Sequence, residues 1–317
     1  MKNFYLLAIL LSVTQVFLPI NMVQATPDTK VERHVVEAIK KANQAWQRHL
    51  VQGEIAKVLK NYGDKAIFMP EYQPTLNGIN DINEYLTTLN SRRTLHKVSY
   101  QSEEMLKLGH YVLEIGRFEK EIEWLNVQPD KHTHYTGKYW RIWNTEIPED
   151  LKIIGEAFGF YQHLKHPEFW VTNRKTRSGT SPNHFKASNA SIELQAYHAL
   201  GRIGVKQKDG ELRAKMYTQD AIFYPFAAPP KKGMAELTPY LIQYSSHGAT
   251  IESVQTYTHD VIYFDNFILE FAKFAVAWTY EGLPGSANGK GISLRKRLEN
   301  GELRFFRHIG MHNYDGY

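Results

Sequence analysis

The chain has 317 residues, 43 % hydrophobic and 22 % charged, with Lys+Arg 38 against Asp+Glu 33 and a formal net charge of +5. That mix excludes a disordered or collagen-like polymer, and the length sets an expectation of about two domains of ~100–200 residues each. The basic surplus is mild and not gathered into one stripe, so no nucleic acid is expected as a partner.

The first 25 residues read as a separate object. Lys2 supplies a positive start, Phe4 to Leu18 is an apolar run, Pro19 breaks it, and Val23-Gln24-Ala25 places small residues before a cleavage point. This is the pattern of a secretory signal peptide cleaved after Ala25. The run is shorter than the ~20 apolar residues of a spanning helix, and no later segment approaches that length, so no membrane association is expected after cleavage. The chain has no cysteine. That excludes a lipoprotein anchor and leaves each domain to be held by its own core. Signal and missing staples together point to a periplasmic or secreted protein. Asn189-Ala190-Ser191 would be a glycosylation site only in a eukaryotic secretory pathway.

Residues 31–62 begin with helix, because Val35, Ile39, Ala42, Trp46 and Leu50 recur at steps of three and four. A short strand at Ala66–Met69 is ended by Pro70, and a proline-containing loop closed by Gly78 leads into a short helix. Lys107–Ile122, Tyr135–Trp143 and Leu151–Tyr161 are rich in aromatic and β-branched residues and read as strands. Residues 165–188 (KHPEFWVTNRKTRSGTSPNHFKAS) read as a basic surface linker, unusual only in carrying Phe169 and Trp170. The pattern then restarts. Helix begins around Ile192, Tyr197 and Leu200, followed by strands at Ala221–Tyr224, Thr256–Asp265, Phe267–Tyr280, Gly291–Leu298 and Leu303–Asn313.

The restart is a repeat. Tyr62, Ala66, Ile67, Phe68, Pro70, Pro74, Gly78, Tyr85 and Leu86 recur at one constant offset as Tyr217, Ala221, Ile222, Phe223, Pro225, Pro229, Gly233, Tyr240 and Leu241. Leu113-Glu114 and Phe118 match Leu269-Glu270 and Phe274, and Gly137-Lys138 matches Gly289-Lys290. Order and spacing kept over that distance identify a tandem duplication, with domain 1 at 30–164 and domain 2 at 189–317. Helices followed by a run of strands make each copy α+β, its helices on one face of a curved antiparallel sheet.

These motifs resemble the SnoaL-like domains of the nuclear-transport-factor-two-like superfamily. The resemblance rests on Tyr62…Ala66-Ile67-Phe68-Met69-Pro70 with Gly78, on Glu114-Ile115-Gly116-Arg117-Phe118, on Gly137-Lys138-Tyr139…Trp143, and on Leu151-Lys152-Ile153, with partial copies in the second half. It implies two cone-shaped domains, each with an apolar cavity, and a family that holds both enzymes and binding or assembly modules. Its members often pair through the outer faces of their sheets, so the duplication is expected to supply that pairing inside one chain, an internal pseudo-dimer in a monomer. The isomerase-like relatives carry a base Asp on the first strand. Here that position is Met69 in one copy and Tyr224 in the other, and neither is a carboxylate.

His308 and His312 are the general acid/base candidates, since an imidazole titrates near neutrality, and Tyr224 is a candidate hydrogen-bond donor to a developing oxyanion. Strand alternation puts Phe306, His308, Gly310 and His312 on one face and Leu303, Phe305, Arg307 and Ile309 on the other. Glu156 is the counterpart of His308. Met69, Glu114, Tyr139, Glu156, Phe223, Glu270 and Phe306 are the candidate lining residues for a small apolar or aromatic ligand. Glu114 with Lys138, and Glu270 with Lys290, are expected as cross-strand ion pairs. His132 and His134 share a strand face but lack a visible third ligand, so no metal is expected, and no cofactor-binding motif is present. The expected function is binding of that ligand, with acid–base turnover in domain 2 as its extension; the competing class is a non-catalytic protein-interaction module.

Overall fold

A computed structural model describes residues 29–125, 131–172 and 190–314. The expected signal peptide, residues 173–188 of the expected linker and Asn189 lie outside the described residues. Among the described residues, no helix is long and apolar enough to cross a membrane.

The first half opens with α1 (Arg33–Val51) and α2 (Ile55–Leu59). Val35, Ile39, Asn43, Trp46 and Leu50 form the buried stripe of α1, as their spacing requires. Then come β1 (Tyr62–Pro70), β2 (Leu76–Asn77), α3 (Gly78–Arg92), β3 (Arg93–Leu108), β4 (Tyr111–Trp124), β5 (His132–Asn144) and β6 (Lys152–Phe160). The second half repeats the series as α4 (Ile192–Lys206), α5 (Gly210–Lys215), β7 (Tyr217–Tyr224), β8 (Lys231–Lys232), α6 (Gly233–Ser245), β9 (Thr250–Tyr263), β10 (Phe267–Tyr280), β11 (Leu283–Arg297) and β12 (Leu303–His312). Two tandem α+β domains are thus present.

Strand β3 is not legible in the sequence, where its end merges with β4. Leu95, Tyr100, Leu106 and Leu108 are buried among charged neighbours, and register shifts at Leu95/Lys97 and Ser102/Glu104 break the alternation that would mark a strand. The sheets run β2-β1-β6-β5-β4-β3 and β8-β7-β12-β11-β10-β9. They are mixed rather than wholly antiparallel, because the first long strand of each half lies parallel to the last, with Phe68 opposite Glu156 and Phe223 opposite His308.

Two repeated glycines have local causes. Gly78 and Gly233 open α3 and α6 at φ +81 and +68, where a side chain is strained. Gly137 and Gly289 lie under the rings of their register partners Phe118 and Phe274, and a Cβ at either would also stand 2.1 or 2.2 Å from a carbonyl oxygen of the adjacent strand.

The outer faces of the two sheets pack against each other. Met69, Leu113, Ile115, Trp140 and Ile142 of one meet Tyr224, Leu269, Phe271, Ile292, Leu294 and Ile309 of the other in a single buried cluster. Each large apolar side chain so buried contributes about 1.5–3 kcal/mol. Arg307 of β12 crosses to Glu104 of β3 through two bonds of 2.7 Å.

The first part of the expected linker belongs to domain 1. A 3-10 turn at Pro167–Trp170 places Trp170, fully buried, on Phe160 (4.9 Å between ring centroids), Tyr135 (5.3 Å) and Trp124 (5.6 Å). Arg92 Nη1 donates to Val171 O at 2.9 Å, and Gln73 Oε1 accepts from Thr172 N at 2.9 Å.

Candidate functional site

The inner face of sheet 2 gathers Tyr217, Phe223, Phe305 and His308 beneath α4 to α6. The His308 ring is stacked on Phe305 (4.6 Å, 8°) and on Phe223 (4.9 Å, 25°). The Tyr217 hydroxyl lies 2.8 Å from His308 Nδ1. Burial lowers the imidazole pKa to about 3, with the charge of Arg295 acting the same way and that of Glu270 opposing it. The ring is therefore neutral at ordinary pH. Burial raises the pKa of Tyr217, so its hydroxyl keeps its proton, and it donates to Nδ1 or accepts from Nδ1–H according to the imidazole tautomer. In the tautomer where Tyr217 donates, the ring carries its hydrogen on Nε2, a donor with no partner among the described residues.

Beside this pair lies the buried carboxylate of Glu270. It accepts from Thr258 Oγ1 at 2.7 Å, from Arg295 Nη2 at 3.1 Å and from Ser293 Oγ at 3.4 Å, and it stands 2.7 Å from His198 Nε2. Burial alone would raise its pKa. The hydrogen bond with His198 and the charge of Arg295 outweigh that and hold it at about 2. The guanidinium of Arg295 lies over the Phe305 ring at 3.9 Å, and its Nε and Nη1 are buried without an acceptor among the described residues.

The inner face of sheet 1 carries the matching positions with different contents. Glu114 accepts from Asn43 Nδ2 at 2.8 Å, from the Tyr139 hydroxyl at 2.7 Å and from Trp143 Nε1 at 2.7 Å. Arg141 donates to Asn43 Oδ1 at 2.7 Å and to Glu156 Oε1 at 3.1 Å, and Tyr62 donates to Glu156 Oε2. Lys120 Nζ sits over the rings of Phe158 (4.3 Å) and Phe118 (4.4 Å), where burial drives its pKa well below the usual lysine value.

The registers align the two cones residue by residue. Tyr62 and Tyr217 each bond the residue facing the repeated strand phenylalanine, Phe68 or Phe223; that residue is Glu156 in one copy and His308 in the other, so the expected equivalence of those two holds. Trp143 and Arg295 each donate to the equivalent carboxylates Glu114 and Glu270. The wall differs. In domain 1, Phe118 is opposite Tyr100, Gly116 is opposite Tyr139, and Tyr139 is opposite Phe158. At the same register positions domain 2 has Thr256 opposite Phe274, Gly291 opposite Ala272, and Gly310 opposite Gly291. The three rings that fill cone 1 become a threonine and two glycines in cone 2. Phe223, Tyr240, Phe305 and His308 are only half-buried there, whereas Phe68, Tyr85 and Phe158 are buried.

The sequence-predicted residues thus separate into three places. His308, Phe223 and Glu270 meet in cone 2; Glu114, Tyr139 and Glu156 meet in cone 1. His312 is at the edge of cone 2, stacked on Phe226 at 4.2 Å with Phe274 edge-on at 5.5 Å; burial lowers its pKa to about 4, and the charge of Lys290 acts in the same direction. Tyr224, Met69 and Phe306 lie in the packed layer between the sheets, outside both cones, with Tyr224 edge-on to Trp140 at 5.8 Å. Phe306 moves there because the alternation expected for β12 is broken. The register slips between Phe305 and Arg307, so Phe305, not Phe306, shares a face with His308. The expected ion pairs are also corrected. Lys138 and Lys290 point away from Glu114 and Glu270, to backbone carbonyls at the domain boundary. Arg295, His198, Asn43, Arg141 and Lys120 were missed, because nothing in local spacing marks a residue that becomes polar lining only after sheet and helix are brought together. The pairing Tyr62/Tyr217 could have been found, as both stand in the repeat.

No family model and no curated protein sequence matches the chain. Solved structures similar to it include a ketosteroid isomerase-like protein from Erwinia carotovora atroseptica (16 % identity, 40 % of this chain and 98 % of that one, TM-score 0.34). An NTF2-like protein from Cytophaga hutchinsonii (12 %, 40 % and 98 %, TM-score 0.34) and a nuclear transport factor 2-like superfamily protein from Salmonella enterica (10 %, 40 % and 90 %, TM-score 0.34) are others. Each of these matches covers about 40 % of this chain.

Proposed function

We propose that this is an exported protein that holds a planar apolar or aromatic small molecule in the cone of domain 2, with domain 1 as its filled structural counterpart. The observation that carries this reading is the replacement of Tyr100, Tyr139 and Phe158 by Thr256, Gly291 and Gly310 at matching register positions. Losing three rings from a close-packed core leaves either a collapsed domain or a space. The half-buried state of Phe223, Tyr240 and Phe305 supports a space. The polar donor it offers a ligand is His308 Nε2–H, in the tautomer whose Nδ1 accepts from Tyr217. A ligand suited to it carries a carbonyl or anionic oxygen on an apolar body.

Any turnover at this site would use His308 as a neutral donor that polarises an oxygen rather than as a base, because a group with a pKa of about 3 removes protons poorly near neutrality. The test is a fluorescence titration of residues 26–317 with 1-anilinonaphthalene-8-sulfonate. One saturable site per chain is expected, abolished by Gly310→Phe, whose Cβ would meet only the Phe223 ring at 3.8 Å. Equal dye binding by both proteins, or by neither, overturns the reading and favours the interaction module.

A further inference from the structure

We infer that His96, Glu123 and His132 form a binding site for one late first-row divalent cation, zinc by preference, on the outer rim of sheet 1. The three residues come from adjacent strands β3, β4 and β5, and their ligand atoms all lie within 4.8 Å of one another. His96 Nε2 is 3.0 Å from Glu123 Oε2. The rings of His96 and His132 have centroids 6.2 Å apart. With Zn–N bonds of about 2.0–2.1 Å, two imidazoles on one tetrahedral ion have ring centroids roughly 5.2 Å apart, so a closure of about 1 Å by these two exposed side chains seats one ion between them.

The sequence shows His132 only beside His134. Tertiary structure supplies the other two ligands. His132 is register partner to Glu123, and the β3–β4 register slips between Leu95 and Lys97, so that His96 is the extra residue of a bulge. A bulge re-aims its side chain, and here it turns His96 onto the Glu123 carboxylate. Two imidazoles and one carboxylate suit zinc, with water completing the tetrahedron. Lys131 Nζ holds the other carboxylate oxygen of Glu123 at 2.7 Å. That contact orients the carboxylate and leaves Oε2 for the ion, while the ammonium charge opposes a cation. His134 instead faces Glu119, at 3.9 Å.

Such a site stitches three strands together at the end of the sheet where Trp124, next to Glu123, packs on Trp170. Bound zinc should therefore raise the melting temperature, since it binds the folded chain only. The experiment is a calorimetric titration of residues 26–317, made without a histidine tag, with zinc chloride, paired with cobalt(II) absorption spectra. One zinc per chain is expected, with visible cobalt bands of a tetrahedral site. His96→Ala, His132→Ala and Glu123→Gln should each weaken binding by about tenfold or more. His134→Ala should leave it unchanged, and Lys131→Gln should tighten it. His96 and His132 are exposed, so these variants keep the fold, which circular dichroism checks. No saturable binding, retention of full affinity in the His96→Ala, His132→Ala double variant, or an equal loss in His134→Ala overturns the assignment.

Discussion

Lys138 and Lys290 hold the two domains together by the same contact made in opposite directions. Lys138 Nζ donates to the carbonyls of Pro225 (2.6 Å) and Ala228 (3.4 Å) in domain 2, and Lys290 Nζ donates to the carbonyl of Gln73 (2.5 Å) in domain 1. Gln73 and Ala228 are themselves equivalent in the repeat, so the contact obeys the internal two-fold relation. Both lysines are fully buried, and Lys138 also bonds Phe160 O at 2.7 Å. Burial lowers the pKa of Lys138 to about 8, with Glu71 opposing the shift.

Replacing either lysine by methionine keeps most of the stem and leaves the carbonyls unpaired. Each unsatisfied buried group costs about 1–3 kcal/mol. Lys138→Met and Lys290→Met should therefore each lower the unfolding free energy by at least that much in urea titrations. A loss below ~0.5 kcal/mol in both would show that the two lysines do not hold the boundary, leaving it to the apolar layer and the Arg307–Glu104 pair.

Acid should destabilise domain 2 through its half-buried, desolvated imidazoles. His308 titrates at about 3 when folded and near 6.5 when unfolded, so between those values the unfolded chain binds more protons and stability falls as pH falls. His312 and His259, both lowered to about 4 by burial, act in the same direction. Glu270, held at about 2, adds the same sign only below about pH 4.5. The His308 contribution is on the order of 2–4 kcal/mol between pH 6.5 and 3. His308→Phe should flatten the stability–pH curve over that window, even if the variant is less stable at pH 8. A curve parallel to that of the wild type would show that His308 is not desolvated.

Trp170 should behave as a core residue of domain 1. Trp170→Ala removes a fully buried ring that touches Phe160, Tyr135 and Trp124, and large-to-small changes of this kind cost about 3–5 kcal/mol. Thermal melts of residues 26–317 should show that loss. A neutral substitution would return the segment to the status of a surface connection.

The sequence by itself determined the duplication, the buried face of α1 and most strands, because these depend on spacing along the chain; in α4 the apolar Ile192 and Leu200 that mark the helix lie exposed, and Leu194 and His198 face inward. Tyr62 and Tyr217, Gly78 and Gly233, and Glu114 and Glu270 are legible as pairs before any fold is known, and the structure gives each pair one shared job. What only the tertiary structure decided depends on contacts between distant segments and on two local slips in register. The bulge at Leu95/Lys97 hides β3 and turns His96 to Glu123; the slip at Phe305/Arg307 sends Phe306 between the sheets and Phe305 beside His308. Alternation assumes an unbroken period of two, and one inserted residue reverses every face beyond it. The partners of Lys138 and Lys290 were unreadable for a related reason. A buried ammonium takes the acceptor that lies within reach after two sheets have packed, and the apolar faces that set that packing carry no charge pattern to announce it.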